Sequence, residues 1–137
     1  MRFFILLFCA LHFSSILAHS YDANENPKVF FIKPLNGDTV SNPINVRFGA
    51  KGINIVPAGV DLPMSGHHHL LINVDKIPNL KMPIPADNNH LHFGKGQSEV
   101  ELNLPKGKHT LQLLIGNHLH IPHSKPIISE KIEISVE

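Results

Sequence analysis

Tryptophan is absent from this 137-residue chain, which has one tyrosine and one cysteine. Without a second cysteine no disulfide can form within the chain, and the Cys–Trp–Cys core of antibody-type domains is excluded. Charge of one sign is lacking too: 12 Lys and Arg stand against 11 Asp and Glu. No basic stripe occurs, so nucleic acid is not an expected partner. CxxC and HExxH spacings, a Gly-rich phosphate loop and a serine elbow are all missing, which removes the chemistries that depend on them. The one long apolar run, residues 3–11, is too short to cross a bilayer, which takes about 20 residues.

That run follows Arg2 and precedes Ala18, His19 and Ser20, with small residues at the two positions a signal peptidase reads. A short positive start, an apolar stretch and a small-residue site form the secretory pattern. Residues 1–20 are therefore expected to be a cleaved signal peptide, and the protein to work in the periplasm or outside the cell. A buried first strand or a retained anchor is the alternative. Cys9 lies inside the apolar run behind the bulky Phe8, a poor context for lipid attachment, and leaves with the leader. The remaining 21–137 would carry no thiolate, no membrane span and a balanced charge, so packing or a bound ion must stabilise it.

Residues 21–28 are polar and expected to be a flexible start, leaving 29–137 as a single β domain. Residues 29–32 read as a strand stopped by Pro34, and Asn36, Gly37 and Asp38 signal a turn. Residues 44–48 alternate apolar and polar, as in a strand with one buried face. Gly52 to Gly66 is loop with one short extended piece. Residues 68–72 are a third strand. The connection 73–89, with Pro78, Pro83 and Pro85, is long enough to be functional or a lid. Residues 99–104, 109–115 and 128–136 supply further strands, the first two joined by a hairpin-like turn at 105–108. Nothing reads as an amphipathic helix. Six or seven short strands between Gly, Pro and Asn turns predict an all-β, antiparallel immunoglobulin-like sandwich; a small Greek-key barrel is the alternative.

Histidine is what the chain has in excess, with 11 residues, of which only His12 and His19 fall in the leader. Three groups repeat a His-x-His spacing: His67/His69, His90/His92 and His118/His120, with His68 and His123 beside them. On a strand, residues i and i+2 project from one face about 6.5–7 Å apart. Two imidazoles so placed can converge on one ion, because a metal–nitrogen bond is about 2.0–2.1 Å. In 67–74 the alternation puts His68, Leu70, Ile72 and Val74 on one face and His67, His69, Leu71 and Asn73 on the other. Leu91 and Phe93 alternate with the second pair, and Leu119 and Ile121 with the third. Each pair thus lies opposite apolar residues that can face a core.

The expected ligands are His67, His69, His90, His92, His120 and His123, with His68, His118 and Asp87 as weaker choices. Imidazole donors without thiolate point to copper or zinc. Met64 and Met82 flank the groups as thioether donors for copper or as packing residues, and Asp61 is the other nearby carboxylate. Asp87, three residues before His90, reads equally as a tautomer-fixing partner and as a turn residue. His109 stands apart and is expected only to bond the backbone.

The motifs in 66–72 (Gly66, the three histidines, Leu70, Leu71, Ile72), 85–97, 107–113 and 120–123 resemble a bacterial family of exported proteins known as domain of unknown function 4399. The segments 31–37 and 57–60 resemble it as well. The resemblance implies an exported β-sandwich of this length and brings no reaction. It carries over His67, His68, His69, His90, His92, His109, His120 and His123. Asn73 and Asn117 stand where the family's pattern has aspartate, and Ser98 where it has threonine; His118 falls at a free position.

Three functions compete. The first is a metal carrier, buffer or delivery module for copper or zinc in the cell envelope. The second is a metal-independent module whose histidines are hydrogen-bonded scaffold or pH sensor, docking a protein partner by strand addition. The third is a metalloenzyme with three histidines and a water, Asp87 or Asp61 being the available base. The balance of residues leans away from an enzyme.

Overall fold

Alternation of apolar side chains sets the architecture. In the computed structural model, which describes residues 26–137, nine strands form. They are β1 (Lys28–Lys33), β2 (Thr39–Val40), β3 (Ile44–Lys51), β4 (Asn54–Ile55), β5 (Ser65–Ile72), β6 (His90–His92), β7 (Glu99–Leu102), β8 (Gly107–Gly116) and β9 (Ile132–Val136). The expected signal peptide with Cys9, and residues 21–25 of the expected flexible start, lie outside the described residues. No helix occurs among those described, so none is long and apolar enough to cross a membrane.

Two sheets face each other. One is three-stranded, in the order β1–β3–β7, and antiparallel throughout. The other runs β2–β9–β8–β5–β4, with β6 also paired to β5. Only the two-residue strands β2 and β4 pair in parallel. Val29, Ile44, Val46 and Phe48 from the first sheet meet Leu70, Ile72, Leu111, Leu113, Ile115, Ile132 and Ile134 from the second, forming the main core. This is the all-β sandwich the sequence predicts, with β4 as the short extended piece expected in 52–66 and two additional short strands, β2 and β6.

Two expectations are corrected. The turn at 105–108 is not a hairpin: β7 pairs with β3, and β8 lies in the other sheet beside β5 and β9. The chain crosses between layers there, and periodicity is blind to which sheet a strand joins. Val74 does not share the core face with Ile72. Asn73 adopts a left-handed backbone (φ 55°), which ends β5 and turns Val74 toward Leu71, Ile84 and Leu114 on the outer face.

β5 is the strand that positions the site. All eight of its residues are buried, because β8 and β6 flank it, the main core covers one face, and the 73–89 connection covers part of the other. A polar strand end inside such surroundings needs partners for its side chains.

Candidate metal centre

His67 and His69 leave β5 on its outer face, and His68 leaves on the inner one. His68 packs against Phe48, ring centroids 4.6 Å apart. The antiparallel register of β5 with β6 sets His92 directly opposite His69, where cross-strand side chains on one face meet. His120 arrives from a turn beyond the end of β8. Four rings thereby gather: His92 lies 4.9 Å from His67, 5.1 Å from His69 and 4.7 Å from His120, centroid to centroid. His67 and His120 are 5.0 Å apart.

One ring nitrogen each from His67, His92 and His120 lies within 4.8 Å of the others. His67 is buried, His120 half-buried and His92 exposed. His69 stands behind His67, Nε2 to Nε2 at 3.2 Å. One of those nitrogens donates and the other accepts. The Nδ1 atoms of both rings are buried with no partner in the protein. An unpaired buried polar atom costs about 1–3 kcal/mol, so this cluster is expensive unless something binds it.

Electrostatics agrees with the geometry. Burial, reinforced by the neighbouring imidazoles, pushes His67 from 6.5 down to about 4 and His69 down to about 3. Burial and His120 lower His92 as well. His67, His69 and His92 are thus biased toward the neutral form, which is the one that ligates metal.

Bare glycines make the room. Gly116 pairs with His67 across the β5–β8 ladder. A Cβ there would lie 2.9 Å from His69 Nε2 and 3.2 Å from the His120 backbone. A Cβ on Gly94 would sit 2.4 Å from the His92 ring. These two residues, whose role beside the histidines the sequence reading did not identify, carried one signal: each glycine lies within four residues of a His-x-His pair.

The turn that brings His120 is braced by Asn117. Its Oδ1 accepts from the N–H of Leu119 (2.9 Å) and of Ile121 (3.1 Å), and its carbonyl accepts from His120 N–H (2.8 Å). Ile84 N–H donates to the His120 carbonyl. His120 itself holds φ at 65°, a left-handed conformation that costs a non-glycine residue about 1 kcal/mol or more. His120→Gly relieves that strain and deletes the imidazole. Its expected result is a metal-free protein at least as stable as the parent in a denaturant melt, with metal uptake lost; a clear loss of stability would contradict it.

The remaining candidates sit elsewhere. His118 and His120 do not form a strand pair, because 117–120 is a turn and Leu119 is 57% exposed instead of facing a core. His118 Nδ1 points to Asp61, 3.2 Å away. His90 shares the face of His92 but stands opposite Leu71, and its Nδ1 donates to Asp87 at 2.8 Å. Asp87 also accepts from Asn89 N–H, so both roles read for it are present, though away from the four rings. His123 Nε2 donates to the Ser65 carbonyl at 3.1 Å. His109 donates through Nε2 to the Pro105 carbonyl and accepts at Nδ1 from Asn73, the scaffold role expected of it.

A family model described as "Domain of unknown function (DUF4399)" matches residues 46–137. No curated protein matches the chain. Among solved structures, the X-ray structure of the endo-beta-1,4-mannanase from Thermotoga petrophila is similar at 14% identity, over 85% of this chain and 21% of that one, with a TM-score of 0.48. The chain thus spans about a fifth of that structure, and so distant a likeness says nothing of activity.

Proposed function

The chain belongs to the family described as domain of unknown function 4399, a description that names no reaction, and from that premise we propose that it binds one copper or zinc ion at the histidine cluster and serves as a carrier, buffer or delivery module. The observation that carries this reading is the convergence of His67, His92 and His120 donors within 4.8 Å. For three atoms so spaced, some point lies within about 2.8 Å of all of them, so a small inward rotation of the rings reaches the about 2.0–2.1 Å of a metal–nitrogen bond. His69, bonded to His67, orients that ring as outer partners of ligands commonly do. All-imidazole donors suit copper and zinc and offer nothing to calcium or magnesium. The secretory pattern of residues 1–20 supports a role in the periplasm or outside the cell, where a protein partner in the envelope would supply or receive the ion.

Elemental analysis tests it. The chain is expressed with its own leader and no histidine tag, purified without chelator, and compared with a His67→Ala/His92→Ala variant. About one copper or zinc per chain, absent from the variant, is the expected outcome. A parent protein that is empty and takes up neither ion would sink the proposal and leave the histidines as scaffold or pH sensor.

A further inference from the structure

The cluster brings no negative charge to an ion. Its three donors are imidazoles, which ligate a metal without a negative charge, and among the described residues they form the one group of His, Cys, Asp or Glu side chains gathered closely enough to share a metal. The carboxylates flanking the histidine groups are engaged elsewhere, Asp61 with His118 and Asp87 with His90. A divalent ion held here would keep its whole charge beside His67 and His69, both fully buried. Uncompensated charge is unfavourable in such surroundings. Three protein donors also leave a four-coordinate ion one ligand short. His69 has its Nε2 engaged with His67 and lies outside the group of three. The cluster opens on the side of His92, its exposed member.

We propose that the metal takes a small exogenous anion of the halide, azide or carboxylate class as its fourth ligand, admitted from the side of His92. This inference rests on the metal-centre reading above. The anion neutralises part of the charge that the imidazoles leave, and it completes the coordination. A replaceable ligand also suits a carrier, since an incoming donor from another protein can take that position and draw the ion away by exchange. His69 is a positioning residue in this arrangement, holding the His67 ring through the Nε2 contact without occupying the fourth position.

The full chain loaded with cobalt(II), whose visible spectrum reports its ligands, is titrated with azide, alongside His69→Leu and His90→Ala variants. The expected result is a saturable spectral change at one azide per cobalt in the parent and in His90→Ala. His69→Leu should bind cobalt about 10–100-fold more weakly and still respond to azide. Stoichiometric cobalt with a spectrum indifferent to azide overturns the inference. Azide binding that appears only in His69→Leu also overturns it, by making His69 the fourth ligand. A protein that takes up no cobalt, zinc or copper overturns the metal centre itself, and the anion site with it.

Discussion

Acidifying the metal-free protein from about pH 6.5 toward 4 should unfold it. Three imidazoles are carried into the interior on β5, and burial lowers His67 and His68 to about 4 and His69 to about 3. In the unfolded chain each takes a proton near 6.5. Between those values the unfolded state binds more protons than the folded one, so stability is full above about 6.5 and falls as the pH falls. One unit is about 1.4 kcal/mol, and even one ring's share is a sizeable part of the about 5–15 kcal/mol by which a domain is stable. His68 isolates the effect. It faces Phe48 in the main core, both of its nitrogens are buried without a well-formed hydrogen bond, and the Gln97 main chain nearby only partly opposes the effect of burial. His68→Leu should raise the melting temperature at neutral pH, flatten part of the acid slope and leave metal uptake intact. Bound metal should carry the folded state to lower pH, because protons must then displace the ion. Melting temperatures by circular dichroism across pH 4–8, with and without chelator, decide this; a flat profile down to pH 4 would show that the rings are not held neutral by burial.

Gly116→Ala should cost both fold and metal site, whereas Gly94→Ala should cost the site alone. The added methyl at Gly116 lies 2.9 Å from the buried His69 Nε2 and 3.2 Å from the His120 main chain, so one of the two must shift. Overpacking of this kind costs about 1–3 kcal/mol, and relief by moving the 117–121 turn withdraws His120. At Gly94 the nearest atoms to the methyl all belong to the ring of His92, 2.4 Å away. That side chain is exposed and swings outward at little cost, taking one ligand with it. Denaturant melts in chelator should therefore separate the two variants while metal content falls in both. A Gly116→Ala protein with parental stability and one ion per chain would contradict so close an approach at Gly116.

Much of the sandwich was legible because burial imposes period two on a strand. Ile44, Val46 and Phe48 alternate with Asn45 and Arg47, and Ile132, Ile134 and Val136 with Glu133 and Ser135, and both sets face the core as their spacing implied. β2 was not legible, since two residues have no period, and β4 only as a short extended piece within 52–66; pairing partners were not, since β7 and β8 look like a hairpin although they lie in different sheets.

For the site, the sequence alone determined the donor type and the projection of His67 and His69 from one face of one strand. Which other histidines join them was decided by tertiary structure. The β5–β6 register sets His92 against His69 and leaves His90 beside Leu71. A left-handed residue in the Asn117-braced turn delivers His120, while the same turn sends His118 to Asp61. Spacing along a chain fixes only what one strand does locally. Convergence of three segments depends on register, on turn handedness and on the space left by Gly94 and Gly116, and those emerge only when the layers pack.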